Sequence, residues 1–138
     1  MVTVIYQHER SYRDLGTGGV PVVALSISLR DHTQNTIDVD AHLDSGAERS
    51  LFNGFIIASL GAELLNANSK PYSSTVGDEI TGYLHRVRLT VPEVGSFELE
   101  VGFSDRLIRR NLLGRDFFNL VQIGFRENQL KYYLNPSP

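Results

Sequence analysis

The feature that most constrains the fold is an alternation of apolar and polar side chains that recurs along the chain. It is clearest in TIDVDAHLD, where Val39, Ala41 and Leu43 lie on one face and polar side chains lie on the other. A two-residue period is that of a β-strand with one buried face. Similar runs occur in VPVVALSISL, GSFELEVGF and QLKYYL. The chain is therefore expected to be mostly β-structure.

Turn-forming segments separate these runs. RDHTQN is predicted to be the polar loop of a hairpin, and PYSSTVGDEITGYLHRVRLTV indicates two strands around a turn at Val76, Gly77 and Asp78. Two short helices are expected, one in FIIASL before Gly61 and one in FFNLVQIGF after Gly114. Many short strands with two short helices favour a small barrel or sandwich.

Length and composition narrow the class of protein. The 138 residues fit one domain, 1–138, and the formal net charge of -3 argues against nucleic acid or an anionic membrane as the main partner. The chain has no cysteine, which excludes disulfides and thiolate chemistry and fits a cytoplasmic, reducing compartment. Nowhere do about eighteen apolar residues follow one another, the length that a membrane span needs.

A possible catalytic loop follows the strand that ends in AHL. It reads Asp44-Ser45-Gly46-Ala47. The glycine lets the backbone turn sharply, and neighbouring amides can hold the carboxylate in one orientation. Asp, Ser and Gly are also ordinary turn residues, so the loop alone does not distinguish a catalytic turn from a structural one.

A second segment, Leu112-Leu113-Gly114-Arg115-Asp116, has an apolar strand, a glycine turn and an apolar continuation. Taken alone it would be a core strand leading into a core helix. In order and spacing, however, the two segments together resemble the signature segments of retropepsin-like aspartic proteases. The resemblance covers about residues 20–125, and the hairpin 73–83 falls where that family carries its flap. The family more often has threonine at the position of Ser45, and its viral members have more glycine in the flap.

The resemblance implies an all-β, closed retropepsin-like barrel with a flap hairpin, one or two short helices and a homodimeric assembly. It also implies an aspartic endopeptidase that acts on a peptide or protein substrate without metal or other cofactor. Asp44 is the only aspartate of the chain in an Asp-[Ser/Thr]-Gly context. Because the chemistry needs two carboxylates at one water molecule, Asp44 of a second subunit would have to complete the site. The shared proton predicts activity that is highest on the acidic side of neutral.

Further roles follow from the resemblance. Ser45 would hydrogen-bond across the dimer axis, and the Gly46 backbone would bind the substrate. Ala47 would also contact the peptide, together with the flap residues Val76, Gly77 and Asp78.

The same resemblance implies a support for the catalytic loop. Arg115 would pair with Glu48 and brace the loop, because an arginine fork suits a carboxylate. Gly114 and Asp116 would belong to the same support. Without the resemblance, Arg115 and Glu48 would be two solvated surface charges.

Three alternatives stay open at this point. The face formed by Asp38, Asp40, His42 and Asp44 could bind a divalent metal, although a solvated strand face explains the same residues. The fold could also serve as a catalytically inactive dimerisation or peptide-binding module. The runs VTVIY and LKYYL, near the two chain ends, could each form an intersubunit sheet or an edge strand of one subunit.

Overall fold

The computed structural model describes residues 1–16, 18–73 and 79–136, and most of its regular structure is β-strand. Two short helices and one 3-10 turn, Glu127–Gln129, accompany the strands. None of the helices in these ranges is long and apolar enough to cross a membrane. The helices are α1 Phe55–Ser59 and α2 Arg115–Phe118; the strands are β1 His8–Ser11, β2 Arg13–Asp14, β3 Gly19–Val20, β4 Val22–Leu29, β5 His32–Leu43, β6 Leu51–Asn53, β7 Ser69–Ser73, β8 Glu79–Val91, β9 Gly95–Ser104, β10 Asn111–Leu113, β11 Val121–Arg126 and β12 Lys131–Pro136.

The main sheet closes on itself. Its strands follow the order β4-β5-β10-β6-β9-β8-β7, and β4 also pairs with β8. In this closing pair Ser26 lies opposite Thr90 and Leu29 lies opposite Val87. The predicted all-β class and closed barrel are therefore confirmed.

Two parallel strand pairs bring distant loops together. β5 runs parallel to β10, with His42 opposite Leu112, and β6 runs parallel to β9. Parallel neighbours end at the same edge of a sheet. The segment after β5, which begins at Asp44, therefore lies beside the segment after β10, which begins at Gly114.

The barrel encloses one cluster of buried apolar side chains. Phe52 and Phe103 meet edge to face with ring centroids 6.1 Å apart, and Phe97 meets Phe117 in the same way at 5.6 Å. Burying an aromatic or branched side chain stabilises a fold by about 1.5–3 kcal/mol. Because Phe117 belongs to α2, this packing fixes the helix that follows the second signature segment.

The hairpin β7–β8 lies at the end of the strand order of the main sheet, with Ser73 opposite Glu79. Its predicted turn residues Val76, Gly77 and Asp78 lie outside the described residues. Tyr72 lies directly over Gly82 and Gly102, where any side chain would collide with its ring. These two glycines are therefore required for the close packing of the hairpin on the barrel.

A second sheet, entirely antiparallel, joins the first strand of the chain to the last two. Its order is β1-β12-β11, and the Tyr132 hydroxyl donates to the Val22 carbonyl at 2.9 Å to join it to the barrel. The LKYYL run lies mostly in β12, so both of its edges are paired within the chain. The VTVIY run forms no strand; it is held by the Asn135 amide, which donates to the Ile5 carbonyl at 2.7 Å.

Two details of the sequence-based prediction are wrong. The helix expected over FFNLVQIGF ends at Phe118, and residues 121–126 form β11 instead. Val121, Ile123 and Phe125 alternate with less apolar residues, which is the period of a strand, and the pairing with β12 uses it. The polar loop predicted over RDHTQN is shorter than expected, because β5 already begins at His32. The helix predicted before Gly61, which has a φ of +86°, is confirmed as α1.

Candidate active site

Asp44 follows β5 directly and is held by backbone groups. Its amide donates to the Leu113 carbonyl at 2.9 Å, which extends the parallel pairing of β5 and β10 by one residue. Its carboxylate oxygen Oδ1 accepts the Gly46 amide at 2.9 Å, and its carbonyl accepts the Ala47 amide at 3.2 Å. Asp44 is half-buried, and Oδ2 accepts no hydrogen bond from the described part of the chain. The carboxylate is thus oriented by one oxygen while the other can bind an external group.

A buried network that we call the polar brace supports this loop; it consists of Ser50, Gly114 and Asp116. The Ser50 hydroxyl donates to Asp116 Oδ1 at 2.7 Å, and the Ser50 amide donates to Asp116 Oδ2 at 3.0 Å. The Gly114 amide donates to the Ser50 hydroxyl at 3.0 Å. Only 1% of the Ser50 surface is exposed. Breaking any of these bonds would leave a buried polar group unpaired, which is costly. The bonds therefore fix the distance between the Asp44 loop and the second signature segment.

Gly114 allows the two segments to approach each other closely. The Arg115 amide donates to the Ala47 carbonyl at 2.8 Å. A Cβ atom on Gly114 would lie 2.7 Å from that carbonyl oxygen and 2.8 Å from the Arg49 carbonyl carbon. Both contacts are to backbone, which cannot rotate away, so glycine is required here.

The expected ion pair between Glu48 and Arg115 is not among the ion pairs within 4.0 Å that the described residues form. Arg115 supports the loop through its backbone amide, and Asp116 supplies the carboxylate. Sequence reasoning did not identify Ser50. A serine before a short apolar strand is common, and its burial against Asp116 depends on a contact between residues far apart in sequence.

The cleft beside Asp44 has a volume of about 740 Å³. It brings together Asp44, Gly46, Ala47 and Glu48, whereas Ser45 is exposed next to it. Gly114, Arg115 and Asp116 lie behind the loop and do not line the cleft. The remaining lining residues come from the end of the loop after Asp44, β6, the β7–β8 hairpin, the loop before β10 and β10 itself: Arg49, Leu51, Lys70, Pro71, Tyr72, Ser73, Ile80, Ile108, Arg109, Arg110 and Leu112.

Tyr72 connects the hairpin to the polar brace. Its hydroxyl donates to the Ser50 carbonyl at 3.4 Å. Burial raises the pKa of the Tyr72 phenol to about 12, although the positive charge of Arg49 acts in the opposite direction. The hydroxyl therefore stays a hydrogen-bond donor throughout the pH range in which proteins are folded.

The strand face next to Asp44 carries arginines as well as acids. Arg13 forms an ion pair with Asp40 at 2.5 Å, and Arg110 Nη1 lies 3.4 Å from His42 Nδ1. Burial, followed by the charges of Arg110 and Arg13, lowers the pKa of His42 below its usual 6.5. In the ranges described, no group of three or more acidic or histidine side chains is arranged to hold a metal ion. Two of the four residues considered as metal ligands, Asp40 and His42, therefore contact arginines instead.

Comparison with known proteins gives a match in structure. No protein-family model and no curated protein sequence matches the chain. It is similar to the EIAV protease complexed with the inhibitor HBY-793, with 16% identity and a TM-score of 0.58 over 78% of this chain and 92% of that one. It is also similar to a retropepsin-like aspartic protease from Rickettsia conorii, with 13% identity and a TM-score of 0.63 over 100% of both chains. At these identities the likeness establishes the fold.

Proposed function

We propose that this chain, which has the retropepsin-like fold, is an aspartic endopeptidase that works as a homodimer. The observation that carries the proposal is the setting of Asp44. A half-buried carboxylate borders a peptide-sized cleft, accepts the Gly46 amide at one oxygen and has its loop fixed by the polar brace. This combination orients a carboxylate toward a ligand, which a structural turn does not require.

The proposed chemistry uses Asp44 from each of two subunits. Two carboxylates about 3 Å apart cannot both be ionised, so they share one proton. The ionised carboxylate takes a proton from water as the water oxygen attacks the peptide carbonyl, while the other carboxyl protonates the carbonyl oxygen. Collapse of the tetrahedral intermediate breaks the C–N bond: the leaving nitrogen takes up the proton that the first carboxylate received from water, and a hydroxyl of the intermediate returns a proton to the second carboxylate. The shared proton predicts the highest rate on the acidic side of neutral; a rate that is flat between about pH 4 and pH 9 would contradict it.

The dimer follows from the need for a second carboxylate. Ser45 is exposed beside Asp44, in a position from which a hydroxyl could bond to a partner subunit. The N-terminal segment also exposes apolar side chains, with Val2 at 90% and Ile5 at 80%. Exposed apolar surface of this kind is common at subunit contacts.

The proposed substrate is an extended peptide in the cleft, between the Asp44 loop and the β7–β8 hairpin. Leu51, Ile80, Ile108 and Leu112 supply apolar walls, which supports apolar side chains on either side of the cut. The volume of about 740 Å³ lies in the usual range for ligand sites. The proposal includes peptide contacts from Ala47 and from Val76, Gly77 and Asp78, the last three of which lie outside the described residues.

The decisive test compares wild type with Asp44→Asn in a peptide-library cleavage assay, with the size of each protein measured in solution. We expect a dimer whose cleavage falls by about 10²–10⁴-fold or more in the variant, because general acid–base catalysis contributes at least that much. Asp31→Asn, which changes an exposed carboxylate paired with Arg30, is the matched control and should retain activity. Equal cleavage by Asp44→Asn and wild type would refute the proposal.

The alternative is an inactive peptide-binding or dimerisation module with the same fold. It predicts a dimer that cleaves no peptide and binds peptides equally well with or without the Asp44 carboxylate. The single domain over 1–138 and the cytoplasmic location stay sequence-based predictions.

A further inference from the structure

The cleft carries more positive than negative charge, although the whole chain has a formal net charge of -3. Among the described residues, two carboxylates line it, those of Asp44 and Glu48. Four cationic side chains line it as well: Arg49, Lys70, Arg109 and Arg110. Positive charge is thus concentrated where the proposed substrate would lie, against the overall balance of the protein.

Among the described residues, no carboxylate forms an ion pair with these four cations. Within the described ranges none of them has a carboxylate oxygen within 4.0 Å, whereas six ion pairs form elsewhere, such as Arg13–Asp40 and Arg88–Glu98. Arg110 contacts the His42 ring instead, and Arg49 and Arg109 are exposed. The guanidinium groups can therefore bind an anionic ligand without breaking an existing ion pair.

Residues 105–110, which we call the arginine loop, are fixed at both ends by specific hydrogen bonds. The Asn53 side chain accepts the Ile108 amide at 2.8 Å, and the Asn111 side chain donates to the Asp40 carbonyl at 3.0 Å. At the other end, the Asp105 amide donates to the Thr81 carbonyl of the hairpin at 3.0 Å. Only 6% of the Asn53 surface is exposed. This anchoring holds the backbone that carries Arg109 and Arg110 at the rim of the cleft.

We propose that the cleft selects acidic peptides, in which glutamate or aspartate flanks the apolar residues at the cut and binds Arg49, Arg109 and Arg110. The inference rests on the proposed protease function and adds the substrate class. A planar guanidinium matches a carboxylate with two parallel hydrogen bonds, and a cleft wall screens charge less than open water does. In a symmetric dimer both halves of the cleft carry the same cations, so acidic residues are selected on both sides of the cut.

The test uses peptide pairs that differ only in glutamate against glutamine, derived from the best substrates in a randomised library. Wild type should cleave the glutamate member with a kcat/KM about tenfold higher, the size expected for one partly exposed charged hydrogen bond. The ratio should approach 1 in the double variant Arg49→Gln/Arg109→Gln, and in about 1 M salt, where the Debye length is about 3 Å. The control Arg86→Gln removes an exposed arginine that does not line the cleft and should keep the full ratio.

A binding experiment separates this inference from the protease proposal. Fluorescent decapeptides of leucine and alanine with either glutamate or glutamine are titrated into Asp44→Asn protein, with and without the two arginine changes. If wild type cleaves no peptide in the library, but the glutamate peptide binds Asp44→Asn protein more tightly than the glutamine peptide and loses that advantage when the two arginines are changed, the protease proposal fails and the acidic preference stands. A ratio near 1 in wild type, or a preference that the double variant retains, overturns the inference.

Discussion

Two loops reach the same cleft and are held in different ways. The Asp44 loop, residues 44–50, is packed against the second signature segment through Gly114 and the buried Ser50–Asp116 bonds. The arginine loop is anchored by Asn53 and Asn111 and then ends in exposed charged side chains. The first arrangement fixes the geometry of one carboxylate, and the second sets the electrostatic field around it. Chemistry and selectivity therefore depend on different residues and should respond separately to substitution.

Among substitutions that test how the two loops are held, the largest loss of stability is expected for Gly114→Ala. Its Cβ would lie 2.7 Å from the Ala47 carbonyl oxygen, so the two signature segments must move apart. Overpacking of this kind costs about 1–3 kcal/mol or more, and the proposed cleavage should fall with the free energy of unfolding measured in urea.

Gly16→Ala is the control for that substitution. Nothing lies within 4 Å of a Cβ added to Gly16, although its φ of +93°, unlike that of Gly114, disfavours any side chain. Its cost should be limited to backbone strain of about 1–2 kcal/mol, with cleavage of the folded protein unchanged. Equal cleavage by folded Gly114→Ala protein would show that the close approach of the two segments is not needed for activity.

A somewhat smaller loss of stability is expected for Ser50→Ala. The change removes the Ser50 hydroxyl, which donates to Asp116 and accepts the Gly114 amide. The Asp116 carboxylate and the Gly114 amide each lose one hydrogen-bond partner. The free energy of unfolding should fall by about 1–3 kcal/mol, measured by urea titration. The exposed Ser45→Ala should change it by less than about 0.5 kcal/mol. The reverse order would mean that the polar brace does not hold the loop.

Asn53→Ala should affect selectivity more than stability. It leaves the Ile108 amide without its acceptor, which costs about 1 kcal/mol, and it releases the backbone of the arginine loop. The glutamate-to-glutamine ratio of kcat/KM should therefore fall while cleavage of neutral peptides is retained. A loss of cleavage of both peptides in equal proportion would show that the two loops are not independent.

The smallest effect concerns His42, which contacts Arg110 and lies near Arg13, Asp40 and Asp44. Its pKa is lowered in the folded chain, so below about pH 6.5 the unfolded chain binds more protons than the folded one. Stability should consequently fall as the pH drops through this value. Between about pH 7 and pH 5, wild type should lose slightly more stability in urea titrations than His42→Gln. An identical loss in both proteins would remove His42 as a cause.

The barrel and the two signature segments could be predicted from the sequence because their signals are local. Alternation in TIDVDAHLD marks β5, and Asp44-Ser45-Gly46 lies within a few residues of it. The same alternation is present in Val121, Ile123 and Phe125, so the helix expected there is contradicted by a signal that the sequence itself carries.

The contribution of Ser50 to the support and the charge of the cleft could not be predicted, because each depends on residues that are far apart in sequence. Ser50 meets Asp116 only when β6 and α2 are both in place. Arg49, Lys70 and Arg109 come from three separate segments and share a cleft only after folding. The resemblance places Glu48, Gly114, Arg115 and Asp116 in the support, and the carboxylate that binds Ser50 is that of Asp116.

The parallel pairing of β5 with β10 also bears on when the site forms. The Asp44 amide needs the Leu113 carbonyl, so the site is assembled only after residues 41–43 meet residues 111–113. Contacts between segments this far apart form slowly and late in folding. An emerging or half-folded chain consequently carries Asp44 without its geometry, and proteolysis by this site would have to wait until the barrel has closed.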